Sequence, residues 1–214
     1  MLLALLLFGQ SLLLAAQEAP EWDAGLSKEA AQSAAGKFRQ IQESAETDRP
    51  FGRIQLSEQE VNSYFHYEMA SLFPPGVSKI RLEFQPNRPI GFVLVDFDKV
   101  RESLKTPPNP LVSYFLQGVH TVGVEGTLVA SNGTGRFHLE VVTLDGITLP
   151  QFVVDFLIEQ FVKAHYPSVD LDRPFRLPFS IDQVRVEAGE VVLVGRSDDL
   201  ERTAAGTNSR ARNP

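Results

Sequence analysis

Ile80, Leu82 and Phe84 alternate with Arg81, Glu83 and Gln85, the two-residue period of a strand buried on one face. Gln85-Pro86-Asn87-Arg88-Pro89 then predicts a hairpin connection. In the return strand, residues 90–97, Phe92 and Leu94 fall on one face while Val93, Val95 and Phe97 fall on the other, so both faces are expected to be covered. A second hairpin is expected from residues 119–130 and 136–144 about Ser131-Asn132-Gly133-Thr134-Gly135, with Ala130 opposite Arg136. Asn132-Gly133-Thr134 also spells a glycosylation sequon, but the turn already accounts for Asn-Gly there. Residues 181–187 and 190–195 about Ala188-Gly189 predict a third hairpin.

Helical periods separate these hairpins. Ser57-Glu58-Gln59-Glu60 has the spacing of a capping box, in which the Ser57 hydroxyl accepts from the amide of residue 60 and the Glu60 carboxylate reaches back. Val61, Tyr64, Phe65, Met69 and Leu72 continue as one apolar stripe until Pro74-Pro75-Gly76. Glu68 falls inside that stripe and reads as a carboxylate at its edge. Asp98 is placed to cap a short helix through Leu104, and Pro107, Pro108 and Pro110 enforce a loop before the short segment 111–117. Pro150 stands at a first helical position, and no breaker follows until Pro167. On a helix over 151–166, Asp155, Glu159 and Lys163 form one narrow polar stripe. Val153, Val154, Phe156, Leu157, Phe161 and Ala164 fill most of the remaining circumference. Such a helix is expected to be wrapped by other structure.

The ends read differently. Residues 2–16 are apolar apart from Gly9, Gln10 and Ser11 and turn polar at Gln17, which predicts a signal peptide or N-terminal anchor over 1–17. The stretch is short of the ~20 apolar residues of a spanning helix. No Lys or Arg precedes Lys28, so a basic leader region is missing. Residues 18–50 carry few large apolar side chains (Leu26, Phe38, Ile41) and are expected to form a weakly helical spacer capped at Ser27. Residues 196–214 are polar and small, the composition of a disordered tail. One α+β domain over 51–195 remains, in which helix and hairpin recur three times without a sequence repeat.

Composition narrows the function classes. With no cysteine, disulfides, thiol catalysis and thiolate zinc sites are excluded. A formal charge of −7 without a cluster of Lys and Arg argues against a nucleic-acid partner. No phosphate-binding loop, nucleophile elbow or paired-histidine motif is present, and His66, His120, His138 and His165 are scattered, so neither a metal nor a cofactor is expected. Asp96 and Asp98 would share a strand face as a carboxylate pair, yet no third group supports catalysis, and capping accounts for Asp98. What remains is an apolar surplus, including 15 Phe, which either fills an ordinary core or lines a groove for an acyl chain.

The run Leu56-Ser57-Glu58-Gln59-Glu60-Val61-Asn62-Ser63-Tyr64-Phe65, two long hairpins, and Leu149-Pro150 opening an apolar helix resemble YpmS-like and LmeA-like envelope proteins. Val61 stands where such families often have Leu. The resemblance implies a TULIP-like, tubular lipid-binding domain: a curved antiparallel sheet of hairpins wrapped around a long apolar helix. It carries no catalytic residue over to this chain. The resulting expectation is an exported, periplasmic or extracytoplasmic, non-enzymatic protein that binds a lipid or other apolar ligand. The residues expected to line the site are Tyr64, Phe65, Phe92, Leu94, Val153, Phe156, Leu157 and Phe161. The alternative is an envelope adaptor or assembly protein whose apolar surface meets a protein partner.

Overall fold

Asn132 and Gly133 both have positive φ, 53° and 68°, the backbone of a two-residue turn whose twist matches the strands it joins. It connects β4 (Val119–Ser131) to β5 (Thr134–Leu144), the longest hairpin in the computed structural model, which describes residues 20–47, 49, 51–103, 110–159 and 173–196. The expected five-residue turn was too long. Ala130 pairs with Gly135 and His138 with Thr127, one residue out of the predicted register, because the tighter turn leaves three more residues to pair. An extra residue in β5 opposite Glu125 and Gly126 then bulges the ladder.

The other strands assemble on this hairpin. β2 (Val77–Gln85) and β3 (Arg88–Asp96) form the first predicted hairpin, and β3 pairs with β4 from Ile90 opposite Glu125 to Asp96 opposite Val119. β8 (Ile181–Glu187) and β9 (Glu190–Gly195) form the third, and β8 reaches the same edge of β4 farther along, at Ala130 opposite Val184. β1 (Arg53–Ser57) closes that side against β9. Two short strands, β6 (Ile147–Thr148) and β7 (Phe175–Arg176), pair with the two ends of β5. All these pairings are antiparallel, giving one sheet of nine strands.

The helices described are α1 (Lys28–Thr47), α2 (Glu58–Tyr64), α3 (Phe97–Ser103), α4 (Pro110–Phe115) and α5 (Gln151–Leu157). They pack over two apolar clusters. The first gathers Ala34, Ile41, Ile54, Leu56, Val61, Phe84, Ile181, Val186 and Leu193, with Leu128 against it; the second gathers Val95, Phe97, Val100, Val112, Leu116, Val142, Leu149, Val153 and Val154, with Val122 and Val124 against it. Val122, Val124 and Leu128 are all even positions of β4, so both clusters lie on the same face of the sheet. The fold is therefore α+β with its described helices layered on one face.

Three local expectations change. α1 belongs to the first cluster: Ala31, Ala34, Ile41 and Ser44 are buried, because alanine lets a helix approach closely where a stripe of large residues is missing. Ser27 caps it as expected, accepting from the Ala30 amide at 3.1 Å. Beyond Tyr64 the chain takes a wider π turn over Phe65–Met69 and a 3-10 turn over Ala70–Leu72, which rotates the predicted stripe so that Leu72 is 70% exposed. Over its described residues α5 is covered on one side: Val153 and Val154 are buried, Phe156, Leu157 and Ile158 half-buried, and Phe152, Asp155 and Glu159 exposed. Its predicted continuation, with Phe161 and Lys163, lies outside the described residues, as do the 1–17 leader and the tail from residue 197.

Candidate functional site

The sequence motif at the first corner turns out to be built for architecture. Ser57 Oγ accepts from the Glu60 amide at 3.1 Å and Glu60 Oε2 from the Ser57 amide at 2.8 Å, completing the capping box. Glu60 Oε1 also takes Ser33 Oγ at 2.6 Å and Lys37 Nζ at 2.5 Å, fastening α1 to α2. Burial raises the Glu60 pKa, but Lys37, Ser33 and the Ser57 amide outweigh it and leave the carboxyl below its ordinary value of 4.5. Asn62, only 3% exposed, donates to the Leu82 carbonyl at 2.8 Å and accepts from the Leu82 amide at 2.7 Å, and Glu58 accepts from the Phe84 amide at 2.9 Å. Side chains of α2 thus occupy the outer edge of β2 as a neighbouring strand would. Upstream, Gln59 donates to the Gly25 carbonyl, Arg81 to that of Ala24, and Lys79 pairs with Asp23 at 2.8 Å.

The predicted lining residues fall in three places. Tyr64 and Phe65 pack on the first cluster, Tyr64 against the Phe38 ring at a centroid distance of 4.7 Å. Val153, Phe156 and Leu157 belong to the second cluster. Phe92 and Leu94 alternate with Val93, which faces that cluster, so they point to the opposite face of the sheet. There Arg81 stands beside Phe92, and Glu83 and Glu125 beside Ile90. One site does not collect all seven described positions.

Asp96 and Asp98 each have a structural partner. Asp96 Oδ1 accepts from the amides of Asp98 and Lys99 at 3.2 Å, so Asp96, not Asp98, caps α3; Lys99 hydrogen-bonds the same carboxylate and holds it below the ordinary 3.8. Asp98 pairs with Arg101. Among the described residues no group of three acidic or histidine side chains is placed to hold a metal ion. No described helix is long and apolar enough to cross a membrane.

The second cluster leads to a more unusual surface. Its elements carry Tyr114 on α4, 76% exposed, Val119 at the start of β4, 58%, Ile147 on β6, 73%, and Phe152 on α5, 45%. Leu116 and Leu149, next to these positions along the chain, are buried in the cluster itself. Exposed apolar side chains therefore stand on the elements around the buried cluster at this end of the long hairpin, with Val119 on the face of β4 opposite to Val122 and Val124. A second group of exposed apolar side chains, Val129, Phe175 and Phe179, lies toward its other end, where the Phe175 ring covers Gly135 so closely that a Cβ there would approach it to 2.7 Å.

The sequence reading missed Tyr114, Val119 and Ile147, since periodicity says which face a residue is on but not whether anything covers it. It also missed the pair His120 and Asp145, which stand 25 residues apart and meet only because the Asn132-Gly133 turn returns β5 beside β4, so that Asp145, just past the end of β5, reaches the start of β4. No protein-family model matches the chain, and no curated protein matches it either.

Proposed function

We propose that this chain is a non-enzymatic binder of a lipid or other apolar ligand in the cell envelope, and that it takes the ligand at the apolar end formed by α4, β6 and α5. The observation that carries the reading is the exposure of Tyr114, Ile147 and Phe152 on the elements that enclose a cluster whose inner residues are closed from solvent. Exposed apolar side chains scattered singly need no explanation, but several on the neighbouring elements of one cluster do. An acyl chain fits such a surface because its contacts are non-directional, each buried methylene contributing about 0.8 kcal/mol. The resemblance to tubular lipid-binding domains supports the same class of ligand. Val153, Phe156 and Leu157 remain in the proposed site; Tyr64 and Phe65 pack on the first cluster and Phe92 and Leu94 point to the opposite face of the sheet, so this reading leaves them out.

The test is to purify the full chain without detergent from a lipid-rich envelope, extract it, and identify bound lipid by mass spectrometry, with uptake of an apolar fluorescent probe measured in parallel. Leu157→Trp is expected to reduce both while the circular dichroism spectrum is unchanged. Absence of lipid and of probe uptake overturns the reading.

The envelope-adaptor reading draws on Tyr114 and Ile147 in particular, whose side chains are largely exposed apolar groups of the kind that anchor protein contacts. A protein partner lost on Ile147→Arg, together with failure of the lipid experiment, would put that reading first.

A further inference from the structure

We infer that His120, Asp145 and the Gln117 carbonyl form a pH-sensitive latch that holds the apolar end closed while the imidazole is doubly protonated and loosens it as pH rises. His120 Nδ1 stands 2.5 Å from Asp145 Oδ2, and Nε2 stands 2.6 Å from the Gln117 carbonyl oxygen. A carboxylate and a peptide carbonyl are both acceptors, so both ring nitrogens must donate. Only the imidazolium has two N–H groups; a neutral ring would turn one lone pair toward an acceptor.

The carboxylate is itself fixed. Asp145 Oδ1 accepts from the Thr121 amide at 2.8 Å, and the Asp145 amide donates to the Thr121 carbonyl at 2.8 Å. Asp145 and Gly146 sit at φ 48° and 79°, a turn that places this side chain over the start of β4. On the other side, Gln117 follows buried Leu116 at the exit of α4, and the Phe97 amide donates to the Gly118 carbonyl at 2.8 Å. The Phe97 ring, 2% exposed, lies 6.2 Å from the imidazole. His120 thus ties the α4 exit to the turn that leads into β6, and those two elements carry Tyr114 and Ile147. Its own side chain is 29% exposed, which leaves a route for protons.

Among the described residues, other charges on the elements packed around it are paired elsewhere. Asp96 pairs with Lys99 and Asp98 with Arg101 at the start of α3; α4 has no ionisable acid or base apart from Tyr114; Asp155 on α5 accepts from Gln151 at 2.8 Å. Asp145's hydrogen bond raises the His120 pKa above its ordinary 6.5, against the opposing effect of burial. Burial raises that of Asp145, but His120 and the Thr121 amide outweigh it and leave it below 3.8. For a group with a raised folded pKa, stabilisation is complete below the unfolded value and is lost as pH rises through the folded one. For the depressed carboxyl it is present above 3.8 and lost as pH falls through the lowered value. The latch is strongest between these limits.

The test uses the full, ligand-free chain. A proton NMR titration, with the His120 resonance assigned by His120→Gln, is run beside amide exchange at Thr121, Asp145 and Leu149, corrected for the intrinsic pH dependence of exchange. The expected result is a His120 midpoint above 6.5 and a fall of about tenfold in protection across it, the scale of one charge-assisted hydrogen bond. Asp145→Asn should lower the midpoint and remove the step in protection. A midpoint at or below 6.5, or protection that does not change across it, overturns the latch, and the wild-type titration decides this even if a variant fails to fold. That easier ligand entry follows from loosening rests on the function proposed above. Probe uptake rising over the same pH range tests that consequence, and its absence with the exchange step present would count against the ligand reading alone.

Discussion

The two ends of this sheet are held on the same face by different physics. At the corner of α1 and α2, charged and amide side chains reach specific backbone groups: Asn62 on Leu82, Glu58 on Phe84, Glu60 on Ser57. Around α3, α4 and α5 the contact is made by Val, Leu and Phe side chains, and the polar ties described there stand at the margin, in the Asp96 cap and the His120 latch. Directional bonds fix one geometry and punish departures from it; apolar packing is less selective about which carbon atom fills a space. The first region is accordingly framework, and the second is where another apolar molecule could be accommodated.

The largest effect should come from cutting the framework. Asn62→Ala leaves an amide and a carbonyl of β2 without a partner, and a loss of about 2–4 kcal/mol in chemical denaturation is expected. A change below about 0.5 kcal/mol would mean that water replaces the amide and that the edge is not closed as described. Val153→Ala, at a position with no exposed surface, should cost about 2 kcal/mol from lost burial and the cavity left behind. If the cavity is then relieved by added apolar probe, the contrast between the two regions is sharpened, since no such rescue is expected for Asn62→Ala.

Ser57→Ala should remove half of the capping box and cost roughly 0.5–2 kcal/mol. The acid limb of stability carries a related signature: because the folded Glu60 pKa is depressed, its contribution is present above 4.5 and lost as pH falls through the lowered value. Glu60→Gln should flatten that limb, and an unchanged pH profile would remove Glu60 from the framework. Smallest in stability is Ile147→Ser, expected within about 0.5 kcal/mol of wild type because the side chain is largely in water already. It should nevertheless lower probe uptake, and a variant that binds as well as wild type would move the apolar site away from β6.

Much of this was readable in the chain. The alternation through Ile80, Leu82 and Phe84, the Ala188-Gly189 turn and the Ser57 capping box are all present where local pattern puts them. Periods of two and of about 3.6 residues, together with turn chemistry, are local properties, and local sequence determines them. Other features depended on distance. The Asn132-Gly133 turn was recognised, but its length, and with it the register of His138, was decided by how far the ladder could close.

By itself the sequence determined the antiparallel hairpins, the helix starts at Ser27 and Ser57, and the α+β class. It did not determine that α1 joins the core, since the burial of Ala31 and Ala34 depends on having α2 and β1 beside them. Nor did it show that Phe92 points away from the helices covering Val93, or that Ile147 meets water while Leu149 does not. His120 and Asp145 became partners only when β4 and β5 paired. Periodicity assigns a side chain to a face of its own element, but what covers that face is a property of packing between segments far apart in the chain, and only the tertiary structure decides it.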